Sequence, residues 1–293
     1  MSKIGLGCVT FGREIEKAVA FPLLDHAVEK GIFFWDTAAV YGNGASETII
    51  GEWICNNPSA AQQISVSTKI LPPYNEKVLE AILNESLIRL RRNFLDVLYL
   101  HNWHETAANP GVLRKISEII NKGVVGEFGL SNFNYQQLKQ VLDSCQEFDL
   151  KKPRFIQNNY NFAVSDLSPD MVRLCSEHNI EIITYSPLGA GFLTGKHVAG
   201  VTPGSRFDLM PAHQKIYFTE QSQHRLAVLL RVSEKNGIPL PKLALAWAFD
   251  QPFVSRVLIG VREKRHIDQA LEAEKAISKE LKTYLDQLNL LTK

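Results

Sequence analysis

The chain has 293 residues, 45% of them apolar, with 32 Lys and Arg against 31 Asp and Glu. This length suits one large α/β domain with a sizeable core, and the near-neutral charge lacks the basic excess that would signal a nucleic-acid or anionic-membrane partner. No apolar run approaches 18 residues, so no membrane span is expected.

The four cysteines, Cys8, Cys55, Cys145 and Cys175, form no C-x-x-C pair, which fits reduced thiols in a cytoplasmic protein. The opening "MSKIGLGCVTFG" lacks the apolar stretch of a signal peptide. Asn84-Glu85-Ser86 matches a glycosylation acceptor but falls in a predicted helix and reads as chance.

In chain order, short apolar runs alternate with longer amphipathic segments. The runs are "IGLGCV", "IFFWD", "ISVSTKI", "LDVLYLH", "VVGEFGLS", "RFIQ", "IEIITYS" and "VSRVLIG". Several are apolar on both faces, as parallel strands covered on both sides must be. Between them, "EKAVAFPLLDHAVEKG", "EKVLEAILNESLIRLRR", "GVLRKISEIINKG" and "NYQQLKQVLDSCQEF" carry helical periodicity. In the second, Val78, Leu79, Ile82, Leu83 and Leu87 are expected on one apolar face, and Gly31 and Gly123 fall where C-terminal caps belong.

Strand and helix alternate eight times, which predicts a closed (β/α)8 TIM barrel spanning 1–293 as a single domain. An open doubly wound sheet is the rival, but "GLGCVTFG" does not fit its G-x-G-x-x-G turn. The spacing widens once, at about 189–219, where a Gly- and Pro-rich insert predicts a lid or binding loop.

In such a barrel the C-terminal strand ends share one mouth. Strand two ends at Asp36, strand three near Lys69 and strand four at His101, while Tyr41 hangs over them from the loop after strand two. Neighbouring strands lie roughly 4.8 Å apart, which brings these groups to a common point. A phenol with an ordinary pKa of about 10 would be made more acidic by the Lys69 ammonium. Asp36 would keep that ammonium charged. His101 would orient a carbonyl, and Tyr41 would act as general acid or base. Each residue alone has a plain structural reading: a helix cap, a solvated strand end, a core histidine, a rim tyrosine. Four polar residues at successive strand ends run against the burial preference of each. His101 and His104 form H-x-x-H on a strand end rather than a helix, so no metal is expected.

The motifs "DTAAVYGNGASE", "STK", "LDVLYLH", "GEFGLSNF", "QNNYN", "YSPLGAGFLTGK" and "GSRF" occur in order along almost the whole chain. In them the sequence resembles the aldo-keto reductases. The resemblance implies a (β/α)8 barrel moving hydride between NADPH, or NADH as a second option, and an aldehyde or ketone. Tyr41 would be the proton donor, with Asp36, Lys69 and His101 tuning and orienting it. Ser131, Asn132 and Gln157 would hold the nicotinamide carboxamide, and Tyr185 would stack on its ring. Backbone N–H groups from Ser186 through Leu188 to Gly191 would cradle the pyrophosphate. Lys196 and Arg206 would steady the phosphates or close the lid. The segment from Gly260 would grip the adenosine 2′-phosphate, with Arg262 foremost for its bidentate guanidinium, then Lys264, Arg265 and His266. Gln269-Ala270 stands where the family commonly has Glu-Asn, which removes an adenine contact. The start also leaves little room for the hairpin with which many members plug the barrel floor. Phe11, Trp103, His104 and Phe133 are expected to contact a small carbonyl or alcohol substrate. Two alternatives stand beside this reading: a sugar or polyol dehydrogenase running oxidatively, and a cofactor-sensing regulatory subunit with little turnover.

Overall fold

The computed structural model describes residues 2–165 and 167–275, together with Tyr284 and Leu288. The last part of the 1–293 span expected for the domain is therefore largely outside the described residues. Eight strands follow one another around the barrel: β1 (Ile4–Gly7), β2 (Phe34–Asp36), β3 (Ser65–Ile70), β4 (Leu95–Leu100), β5 (Val125–Ser131), β6 (Phe155–Asn159), β7 (Glu181–Tyr185) and β8 (Val254–Gly260). Each pairs in parallel with its neighbours, and β8 returns to β1 through Gly7 opposite Gly260, which closes the barrel.

Helices cover the outside: α1 (Lys17–Glu29), α2 (Ala45–Asn56), α3 (Leu79–Leu90), α4 (Pro110–Asn121), α5 (Tyr135–Glu147), α6 (Pro169–Glu177), α7 (Glu220–Asn236), α8 (Leu240–Asp250) and α9 (Lys264–Lys275). Their ends follow from local chemistry. Asn134 and Gln137 form a capping box at α5, Asn109 caps α4 ahead of Pro110, and Gly31 and Gly123 take the left-handed conformation just past α1 and α4. One expectation is corrected at α3: Val78 precedes the helix and is 44% exposed, whereas Leu79, Leu83 and Leu87 are buried.

The period-two alternation of the strands sorts the apolar side chains into two clusters. The larger lies between sheet and helices. The smaller, Phe34, Val97, Tyr99, Ile183 and Leu258, fills the barrel interior. Tyr99 has room because its neighbour is Gly129; a Cβ there would stand 2.5 Å from the Tyr99 ring. Large side chains stand near the strand starts. Phe34 and Phe155 open β2 and β6, and the Arg256 guanidinium lies 4.6 Å over the Phe34 ring.

The connection from β7 to α7 is long, as expected, but it is folded. It carries 3-10 turns at Gly189–Thr194 and Pro211–His213 and short helices at Arg206–Leu209 and Gln214–Tyr217. Its own aromatic cluster pins it: the Phe207 and Phe218 rings are 5.0 Å apart, and Phe192 and Phe218 5.4 Å.

Candidate active site

Strand register brings the polar residues together. Asp36 is the last residue of β2, Lys69 lies near the end of β3, and His101 follows β4. Tyr41 opens the turn Tyr41–Gly44, in which Gly42 is left-handed and packs so closely on the β1–α1 loop that a Cβ would sit 2.9 Å from the Gly12 carbonyl.

Lys69 is 1% exposed and forms an ion pair with Asp36. It also donates to the Thr37 carbonyl at 2.8 Å, and its Nζ stands 3.5 Å from the Tyr41 hydroxyl. The other Asp36 oxygen accepts from Ser67 Oγ at 2.7 Å and Gln157 Nε2 at 2.9 Å. A buried charge pair is tolerable only when its remaining lone pairs and protons are satisfied, and here they are. His101 meets the Tyr41 ring edge-on at 5.8 Å. Burial, reinforced by the Lys69 charge, pushes the His101 pKa down to about 3, so the imidazole is neutral at pH 7.

The expected acidification of Tyr41 does not occur. Burial outweighs the Lys69 ammonium, and Asp36 adds to it, so the phenol titrates above its ordinary range. Lys69 itself is held charged: the attraction of Asp36 and Tyr41 overcomes its desolvation.

The residues expected at the nicotinamide line the same mouth. Ser131 pairs in register with Gln157 across β5 and β6. Asn132 is left-handed; its amide donates to the His101 carbonyl at 2.9 Å and accepts from the Tyr185 hydroxyl at 2.5 Å. Gln157 is engaged with Asp36, a partner the sequence did not suggest.

A cavity of about 380 Å³ adjoins this mouth. The turn after β7 contributes Ser186, Leu188 and Gly191 to it, and the long connection contributes Lys196 and Arg206. Gly260, Arg262, His266 and Gln269 line it from the β8 side, beside the Ala270 that replaces the expected asparagine. Ser186, Gly189, Ala190 and Gly191 all have positive φ, which curls the backbone into a concave turn. Two of its N–H groups are used within the turn: Gly189 donates to the Ser186 carbonyl and Gly191 to that of Leu188. The lining is rich in cations. Burial and the Arg262 charge push the Lys196 pKa down, and the buried Arg206 Nε has no partner among the described residues. A site crowded with like charge favours an anionic ligand, so these residues fit the phosphates of a dinucleotide.

The substrate expectations fare unevenly. Phe11 is fully buried in the core, and Phe133 is 1% exposed with its ring 5.4 Å from Trp103. Neither presents surface to a substrate, because each is consumed by packing. His104 caps a short turn, its Nδ1 accepting from the Thr106 N–H at 3.2 Å. Trp103 stays half-buried. Sequence reasoning did not single out Val40, which precedes Tyr41, or Leu71, which follows β3; both are large, apolar and exposed. It also missed Glu14, a buried carboxylate whose Oε1 accepts from Arg206 at 2.8 Å and lies 3.6 Å from Arg262. Among the described residues, no group of three or more His, Cys, Asp or Glu is arranged to hold a metal ion.

The family model described as "Aldo/keto reductase family" matches residues 3–290. The chain belongs to the aldo/keto reductase family. It is accordingly an NAD(P)H-dependent oxidoreductase acting on carbonyl or alcohol groups. A "Probable voltage-gated potassium channel subunit beta" of Arabidopsis thaliana is 30% identical over 279 residues, covering 90% of this chain and 84% of that protein. "Protein tas" of Escherichia coli K12 is 25% identical over 310 residues, covering 93% and 89%. Among solved structures, an aldo-keto reductase from Klebsiella pneumoniae in complex with NADPH superimposes with a TM-score of 0.76 at 20% identity, covering 98% of this chain and 91% of that one. The glycerol dehydrogenase AKR11B4 from Gluconobacter oxydans reaches 0.79 at 22% identity, with the same coverage. At these identities the two structures speak for the barrel alone. No helix among the described residues is long and apolar enough to cross a membrane.

Proposed function

We propose that this aldo/keto reductase reduces an aldehyde or ketone with NADPH and that Tyr41 gives the proton to the carbonyl oxygen. The observation that carries the reading is the buried Lys69 ammonium, paired with Asp36 and 3.5 Å from the Tyr41 hydroxyl. NADPH, held by the residues named below, would supply the hydride for the carbonyl carbon. As negative charge develops on the oxygen, Tyr41 releases its proton, and Lys69 stabilises the phenolate left behind. Neutral His101 offers a ring N–H that orients the carbonyl without adding charge. Burial keeps Tyr41 protonated, so the proton that reduction needs is in place on the phenol; the reverse reaction would use the phenolate as base.

For the cofactor, Ser131, Asn132 and Gln157 are assigned to the carboxamide, Tyr185 to the ring, Lys196 to the pyrophosphate, and Arg262 with its neighbour Arg206 to the 2′-phosphate. Val40, Leu71 and Trp103 suggest a moderately hydrophobic carbonyl. The test is cofactor oxidation across aldehydes, ketones, keto-sugars and pyridoxal, with NADPH and NADH in parallel. Turnover with NADPH preferred is expected, and Arg262→Ala should narrow that preference; equal rates with both cofactors would remove the phosphate assignment. The identity with a protein named as a channel β subunit favours a second reading, a cofactor-sensing regulatory subunit. That reading prevails if NADPH binds but no carbonyl turns over.

A further inference from the structure

Three arginines converge on one carboxylate at the edge of the nucleotide cavity. Glu14 comes from the loop between β1 and α1, and its side chain is 7% exposed. Its Oε1 lies 2.6 Å from Arg13 Nη2, 2.8 Å from Arg206 Nη1 and 3.6 Å from Arg262 Nη2, while Oε2 accepts from Arg13 Nε at 2.8 Å. Arg206 and Arg262 both line the cavity, one from the long connection and one from the segment after β8. One negative charge thus faces three positive ones from three separate elements. We propose that Glu14 is a cofactor-selectivity residue: it occupies the guanidinium groups that a 2′-phosphate would otherwise claim, and so lowers the preference for NADPH over NADH.

The effect is electrostatic. A phosphate dianion bound by Arg206 and Arg262 must share those donors with Glu14 and lie close to its charge. In a partly buried site that repulsion is poorly screened. A dinucleotide with a plain ribose 2′-hydroxyl meets no such penalty, and a carboxylate can accept its hydrogen bond. Glu14 therefore acts differentially, which is the requirement for specificity. It also prevents the arginines from repelling one another in the unliganded protein, so it is retained at some loss of phosphate affinity.

This inference rests on the reading that the cavity takes NADPH or NADH, and binding to the parent protein tests that reading separately: failure of both cofactors to bind would sink it. The inference itself is tested on the full chain by measuring dissociation constants for NADPH and NADH, at low ionic strength, from quenching of protein fluorescence. Glu14→Gln should raise the ratio of the NADH constant to the NADPH constant about tenfold, chiefly through tighter NADPH. Glu14→Ala should move it the same way, and Glu14→Asp, which keeps the charge, should leave it near the parental value. An unchanged or lower ratio in the two neutral variants would overturn the proposal, since Glu14 would then be orienting the arginines for the phosphate rather than competing with it.

Discussion

Lys69 carries two loads at once: it makes Asp36 tolerable in the barrel interior, and it offsets the effect of burial on Tyr41. Lys69→Met separates them. Removing the ammonium leaves an uncompensated buried carboxylate, so stability in denaturant titration should fall by about 3–5 kcal/mol. Turnover should fall roughly 10²-fold or more. Adding Asp36→Asn should restore much of the stability, because the unpaired charge is gone, and none of the turnover. His101 makes a second prediction. Its folded pKa of about 3 lies below the ordinary 6.5, so between those values the unfolded chain binds the additional proton. The stability owed to neutral His101 is complete above pH 6.5 and is lost as the pH falls toward 3. Denaturant midpoints across that range should decline less steeply in His101→Asn than in the parent.

The residue types of this cluster were legible because Asp, Lys, His and Tyr at strand ends oppose simple burial rules. What could not be read was the balance of opposing effects. Whether a cation or the surrounding desolvation wins at Tyr41 depends on depth, which residue spacing does not encode. The same blindness placed Phe11 and Phe133 at the mouth: an aromatic ring beside a strand end looks the same in sequence whether it faces substrate or core. Glu14 escaped notice because an Arg-Glu pair on a short loop resembles ordinary surface charge.

At the scale of elements, the alternation of short apolar runs with helical segments was strong enough to give all eight strands and their order. Most runs lost a residue or two at an end, whereas β6 runs on past Gln157 to Asn159, where polar Asn158 and Asn159 still pair with β7. The long connection was legible as an insertion, but not its internal packing, because Phe192, Phe207, Tyr217 and Phe218 are scattered in sequence and converge only in space. Interior packing is testable at β5. Gly129 leaves room for Tyr99, the middle of the barrel filling, and any Cβ there must displace a fully buried ring. Gly129→Ala should therefore lower stability by about 1–3 kcal/mol, measured by denaturant titration. A neutral outcome would mean that the interior relaxes more freely than its packing implies.

Across the whole molecule, net charge is +1, yet cations gather at one rim of the barrel mouth. Overall composition concealed this, since a total says nothing of where charges gather; at the rim Glu14 and Glu263 offset only part of the positive charge. At the opposite end Phe34 and Phe155 open their strands, with Arg256 over the Phe34 ring. At the mouth stand the phenol of Tyr41 and the Lys69 ammonium, with the cation-lined cavity beside the ends of β7 and β8. The most direct test of the account is single-turnover reduction of a carbonyl substrate by Tyr41→Phe, alongside its affinity for NADPH. The expected result is a loss of roughly 10²-fold or more in the rate with NADPH affinity close to the parental value. A variant that reduces the carbonyl at the parental rate would contradict it, because the proton would then come from another group.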